Sequence, residues 1–509
     1  MQVPFGEWLP DQPKHLNPGA NVATNVYYAL NSYKRFPSLV DYSSNNIGAD
    51  ARGGGSFRDN SGNVFNFVAK NTDIYQLASG TFTSRKGSLT GGNTDYFTFT
   101  QFGNHVIASN GVDAPQYYLM GTSTNFANLS SIVTAGSLPT FRVSGVIRDF
   151  FVTGNQPTKT NRIQWSGIND LTTWQGKQAD FQDLPGSGGR IVHITSGEIG
   201  YVFRQNQIIR MDFVGGSVVF RLSVISPNRG AVYGQTVCQD NRNVFFYSDD
   251  GFYQLSGDTI APIGAEKVNR FFDLDLNKAY TDRIKAATDP FNQLAMWAYP
   301  SKANTGASGL CDRIIIYNYA TKKWSLAEAQ TSVIFPQFVG AFTVELMDII
   351  SENLEDINAA LDTDFWNGGQ MFLGAIDQNF KAAIFSGNSN ECEIETSELE
   401  PFPGLRANVT GVRPIVDAVS TLTVKTRERI ADDETASSTV TQNASGLNPV
   451  RKSGRYIRAN VKIPAGTTFT HAQGVDFIAS QAGIRLSLIH ISEPTRPERS
   501  GDAGFGVKK

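Results

Sequence analysis

The sequence predicts an all-β protein, a β-propeller-like fold with a short helical excursion and a small C-terminal β region. Three observations predict it. Apolar and polar residues alternate with a period of two along most of the chain, the pattern of half-buried strands. The composition is rich in glycine (48) and phenylalanine (34) and poor in methionine (6), which suits turns and pleated sheets more than helices. Strand–turn units also recur, beginning near Ser56, Tyr96, Arg142, Gly189, Ala231, Arg283 and Gly369. All but the last interval lie close to the ~40–50 residues of a propeller blade. This even spacing favours a propeller over a sandwich or two separate β domains.

Taken in order, residues 1–45 read as an extended N-terminal arm. Its prolines and glycines resist regular structure, so residues 1–36 are expected to be free to reach a partner. Residues 46–400 form the expected propeller. Its clearest hairpin runs from Ile208 to Ile225, where Ile209, Met211 and Phe213 alternate with Arg210 and Asp212. Gly215-Gly216 then supplies the positive φ angles of a tight turn. Asn243–Tyr247, Phe252–Leu255 and Thr259–Ile263 form a meander, and Leu294–Tyr299 with Asp312–Tyr319 a further unit. Leu346, Ile349, Ile350, Leu354, Ile357 and Leu361 fall at helical spacing, which predicts a helical insertion at about 344–361. Residues 401–485 read as the C-terminal β region, with an exposed loop at 431–449. Leu486–Arg496 is the translation of a common sequencing-adapter end. Residues 486–509, His490 included, are therefore expected to be read-through and are left out of functional reasoning.

Composition narrows the function. The formal net charge is −3, from 44 basic and 47 acidic residues, so the chain is not a generally basic nucleic-acid binder. No apolar run is long enough to span a membrane, and the N-terminus lacks the pattern of a secretory signal. Cys238, Cys311 and Cys392 are too scattered for a disulfide framework or a metal site, and His15, His105, His193 and His471 have no neighbouring ligand at useful spacing. Gly186-Ser187-Gly188-Gly189 is not followed by a helix pattern, so it reads as a loop and not as a phosphate cradle. Asp249-Asp250-Gly251 reads as turn chemistry, and the acids from Glu345 to Asp364 as a solvated helix face. No catalytic residue, cofactor or metal is expected.

Two charge patterns remain. Glu391, Glu393 and Glu395 share one face of a strand. Arg451, Lys452, Arg455, Arg458 and Lys462 lie in a stretch without acids, and Lys425, Arg427 and Arg429 share another strand face. Like charges side by side need solvent or opposite charge. They fit two solvated faces, complementary contacts with another subunit or a partner, or contact of the basic face with DNA.

Several phrases resemble one family, the packaged-DNA stabilisation or tail-hub proteins of short-tailed double-stranded DNA bacteriophages. They include Ala23-Thr24-Asn25-Val26 with Tyr33–Pro37, Arg162–Ser166 with Trp174, Asn243–Leu255, Arg313–Trp324, Leu354–Gly369 with Glu395-Thr396, and Arg455–Gly474. The resemblance covers roughly 1–485. It implies a structural virion protein, not an enzyme, that assembles in the host cytoplasm as a homo-oligomeric ring, usually of six copies. The ring would sit below the portal and adaptor proteins and plug the head after packaging. It would let double-stranded DNA pass without sequence recognition and anchor a tail needle, nozzle or spike. Tubular (nozzle) tail proteins share part of this vocabulary. A glycan-binding or glycan-processing propeller is the alternative from another class.

Overall fold

The computed structural model describes residues 1–216, 218–304, 309–338 and 371–482. The expected helix at 344–361 and the tail at 486–509 lie outside the described residues. The chain is all-β and propeller-like. Blade one is Gly53–Arg58, Val64–Ala69, Ile74–Ala78 and Thr81–Lys86, paired in that order. Four more antiparallel four-stranded sheets follow, at 98–128, 143–183, 191–226 and 238–262. Blade six is Lys285–Asp289, Leu294–Tyr299, Cys311–Asn318 and the first half of Lys323–Phe338.

The second half of Lys323–Phe338 opens a seventh blade. It pairs with Met371–Asp377, which pairs with Ala382–Ser389, and that strand pairs with Pro37–Asp41. One 16-residue strand thus serves two blades, with an irregularity in register at Thr331/Val333. The unit expected to restart at Gly369 is therefore not a blade start. The seventh blade starts near Ser332, and the expected excursion falls between its first two strands.

The ring closes between blades seven and one. Val333, Phe335 and Ile376 pack on Val68, Leu77 and Phe82 in one buried cluster. Gly54 permits this closure, because a Cβ there would lie 2.8 Å from the Phe335 ring. The other buried clusters likewise fill the seams between successive blades.

Beyond the propeller, two sheets pack face to face. One joins Arg406–Val416, Asn448–Gly454 and Ala472–Ala482 to the N-terminal strands Gln2–Pro4, Val26–Ala29 and Ser32–Arg35. The other runs Val22–Thr24, Cys392–Glu395, Tyr456–Ile463 and Thr421–Arg427. Val409, Val412, Val475 and Phe477 from the first meet Val424, Ala459 and Val461 from the second.

Val22–Thr24 also pairs with the outer edge of blade six, Thr24 opposite Leu326. The propeller sheet therefore runs without a break into the sandwich. Beneath the junction, the Phe252 ring lies 4.8 Å from Trp297 and 5.1 Å from Trp324. Each indole N–H donates to a backbone carbonyl, of Thr236 and of Ile263, at 2.8 Å. The apolar area is thus buried without stranding a polar atom.

This architecture corrects the reading of residues 1–45 as a free arm. Five short strands lie between Gln2 and Asp41, and their partners are 300–475 positions away in sequence or adjacent hairpin strands. Phe5, Trp8, Ala23, Val26 and Tyr33 are buried in the central core. Left-handed residues at Asn25 and at Leu30-Asn31 keep three of these strands short, and tertiary pairing nevertheless fixes them. Cys392–Glu395 belongs to the sandwich and not to the propeller. The expected loop at 431–449 carries two short strands, Thr435–Ala436 and Val440–Thr441, that pair with Thr421–Arg427.

Candidate functional site

The acidic and basic faces meet each other within the chain. Glu393 stands opposite Lys462 and Glu395 opposite Asn460 across one strand pair. On the next pair Lys425 stands opposite Arg458. Two cations side by side are unfavourable, and Glu395 resolves the conflict. Its carboxylate accepts from Lys425 Nζ at 2.5 Å and from Asn460 Nδ2 at 3.2 Å, and it lies 3.2 Å from Arg458 Nε. The side chains of Glu395 and Arg458 are each only 3% exposed. Arg458 also donates to Glu434, which Lys14 reaches at 3.1 Å.

Lys462 Nζ lies 2.8 Å from Glu391 and 3.5 Å from Glu393. Arg427 holds Glu398 with both its Nε and Nη2, the former at 2.7 Å, and Arg455 Nε donates to Glu400 at 2.6 Å. Of the residues expected to contact subunits or partners, Glu391, Glu393, Glu395, Arg455, Arg458 and Lys462 are therefore committed to pairs within one chain. Lys452 Nζ donates to the Ala436 carbonyl at 3.1 Å. Arg451 is exposed and makes no ion pair among the described residues. The complementarity legible in the sequence fastens one sheet.

These pairs shift titration in a consistent direction. The hydrogen bond from Arg455 holds the Glu400 carboxyl below its ordinary range, and the hydrogen bond to Glu391 raises Lys462. Burial alone would raise Glu434, but the Lys14 hydrogen bond and the Arg458 charge outweigh it and hold the group low. A carboxyl with a lowered folded-state pKa binds its proton less readily folded than unfolded. The stability it contributes is present above its unfolded value, ~4.3, and is lost as pH falls through the folded value. Thermal unfolding followed between pH 6 and pH 3 is expected to show Tm falling below about pH 5. Glu434→Gln should flatten that fall.

A second charged cluster lies where the inner strands begin, at one mouth of the propeller channel. Arg52, Arg142 and Arg190 each immediately precede an inner strand, and Arg283 precedes one by two positions. Arg52 Nη1 lies 3.3 Å from Asp282, and Arg283 lies 3.6 Å from Asp282 and 3.0 Å from Asp50. Arg142 Nη2 lies 2.7 Å from Asp95 and its guanidinium 5.3 Å from the centre of the Tyr96 ring. Burial and the neighbouring Arg283 charge lower the pKa of Arg52.

Lys285, on the inner strand of blade six, lines the same narrow recess as Arg52, Gln235, Asp282 and Arg283. Burial pushes its ammonium down to about 8. Burial, then the Lys285 charge, pushes His193 down to about 4, so His193 is neutral at pH 7. Gly234, ahead of blade five, lies against both the Tyr96 hydroxyl from the blade-two side and the Val192 carbonyl of blade four. A Cβ at Gly234 would lie 2.5 Å from each of those two oxygens.

Sequence reasoning missed this cluster. Its signal was the recurrence of Arg at 52, 142, 190 and 283, at blade starts, which becomes visible only once those starts are fixed. The cysteines are free and buried, and no group of three His, Cys, Asp or Glu residues is arranged to hold a metal ion among the described residues. No described helix is long and apolar enough to cross a membrane.

No family model and no curated protein matches the chain. Solved structures similar to it include a chain of the mitotic checkpoint complex, at 9% identity, with 71% of this chain and 98% of that chain covered and a TM-score of 0.40. Another is the extracellular domain of the putative hybrid two component system BT4673 from B. thetaiotaomicron, at 11% identity, 81% and 45% coverage, and a TM-score of 0.37. A third is apo AztD from Citrobacter koseri, at 14% identity, 52% and 68% coverage, and a TM-score of 0.28. The architecture rests on the strand pairing itself.

Proposed function

We propose that this protein is a structural virion component of a short-tailed bacteriophage. Copies of it form a ring, of about six subunits, below the portal and adaptor proteins. The ring plugs the head after DNA packaging and anchors distal tail parts. One observation supports this reading above the rest. Phrases that carry the family resemblance, hundreds of residues apart in sequence, converge on a single sheet: Ala23-Thr24, Arg313–Trp324, Glu395 and the strand within Arg455–Ile463.

That sheet welds propeller to sandwich, and a connector that must hold against the pressure of packaged DNA needs such a rigid subunit. The mild net charge of −3 suits a bore that DNA must leave without being gripped. In this reading DNA passes through the centre of the ring of subunits. The test adds the purified protein to DNA-filled heads lacking this component and scores nuclease-protected DNA over time. Retained DNA is the expected result. Continued leakage at saturating protein would overturn the reading, and hydrolysis of a capsular polysaccharide by the same preparation would replace it with the glycan-processing one.

A further inference from the structure

We propose that Lys425 and Asn460 join through an intramolecular isopeptide bond, formed with loss of ammonia and promoted by Glu395. The three side chains come from three adjacent strands and share one sheet face. Glu395 stands opposite Asn460, and Lys425 stands opposite Arg458, two residues before Asn460. Lys425 and Asn460 are therefore diagonal neighbours, within reach of a long side chain.

One carboxylate oxygen brings them together. Glu395 Oε2 accepts from Lys425 Nζ at 2.5 Å and from Asn460 Nδ2 at 3.2 Å. The amine and the amide nitrogen it displaces thus touch the same atom, which gives the pair a high effective concentration. The other oxygen, Oε1, faces Arg458 Nε at 3.2 Å, so Arg458 is a positioning residue for the carboxylate. Glu393 Oε1 holds the same amide nitrogen at 2.6 Å. Glu395 and Asn460 are buried, which keeps water from competing with the amine. Lys425 is partly exposed and leaves ammonia an exit.

The step balances with these residues alone. Glu395 takes a proton from the Lys425 ammonium, and the free amine attacks Asn460 Cγ, forming the Nζ–Cγ bond. Glu395 passes its proton to Nδ2, the Cγ–Nδ2 bond breaks, and ammonia leaves. The excess proton on Nζ passes by way of Glu395 to the departing ammonia, so the products are an amide, ammonium and the original carboxylate. With the Lys425 charge consumed, the buried Glu395 carboxylate is matched to the buried Arg458 guanidinium. The bond pins Thr421–Arg427 to Tyr456–Ile463. It also closes residues 425–460 into a covalent ring, which constrains the unfolded chain as a disulfide does. The cross-link is independent of the proposed virion role.

The test is mass spectrometry of the full chain under denaturing conditions, with tryptic peptide mapping. A mass lower by one ammonia is expected, with a branched peptide joining Lys425 to Asn460 and no cleavage after Lys425. Lys425→Arg keeps a cation for Glu395 but offers no amine that can be acylated. Asn460→Ala removes the amide and leaves the ion pairs. Each variant should fold, carry its full mass and melt at a lower Tm than the parent. The full sequence mass in the parent would overturn the proposal. So would an ammonia loss that persists in Lys425→Arg, or one that maps to a succinimide at another asparagine.

Discussion

Deleting residues 1–36 is expected to prevent stable folding, leaving both modules without their shared frame. The segment supplies Val22–Thr24, the strand between the outer edge of blade six and the sandwich strand Cys392–Glu395. It also supplies Gln2–Pro4, which pairs with Ala472–Ala482. Phe5, Trp8, Val26 and Tyr33, exposed by 2% or less, would leave the core. At about 1.5–3 kcal/mol for each large apolar side chain, the loss rivals the whole stability of a typical protein, about 5–15 kcal/mol. Extending the deletion to Asp41 would also strip the outer strand from blade seven. Soluble yield, far-ultraviolet circular dichroism and resistance to limited proteolysis report the outcome. A soluble, protease-resistant truncated chain with an undiminished Tm would show that the N-terminal strands are dispensable.

Arg458→Ala is expected to cost about 3 kcal/mol, because it takes a buried guanidinium away from the buried Glu395 carboxylate. It removes one contact of Glu395 and one of Glu434. Lys425 and Asn460 still reach Glu395, so the loss should stop short of complete unfolding. The sign of the double variant separates pair removal from charge stranding. Glu395→Leu with Arg458→Met deletes both charges and should recover much of the loss, although Lys425 then faces only Glu434 and solvent. Urea denaturation followed by tryptophan fluorescence measures both. By contrast Arg451→Ala, at an exposed side chain without an ion pair among the described residues, should change the unfolding free energy by no more than about 0.5 kcal/mol. A loss for Arg458→Ala no larger than that for Arg451→Ala would contradict the pairing described here.

The blades were legible because each repeats the same local rule. Alternating apolar residues end in glycine or Asp-Gly turns, and inner strands begin at Gly53, Thr98, Val143, Ile191, Cys238 and Lys285, within about seven residues of the unit starts read from sequence. Blade seven was not legible, because Lys323–Phe338 passes from one blade to the next without a turn residue. The N-terminal strands were also hidden. Strands of three to five residues carry little periodic signal, and most of their partners lie hundreds of positions away.

The charge patterns were legible as complementary, but no local rule says whether the complement lies in another subunit or in the same chain. The pairing of Cys392–Glu395 with Tyr456–Ile463 decides that, and the decision is tertiary. The cluster at Lys285 shows the same limit from the other side. Its members come from separate blades and meet only when the ring closes.

Electron cryomicroscopy of heads reconstituted with the full chain would show whether this one-piece propeller and sandwich forms a ring at the head vertex. The expected image is a ring of about six copies below the portal, each showing a closed propeller fused to its sandwich, with DNA passing through the centre of the ring. A vertex without added density, or added density that does not form a ring of propellers, would contradict it.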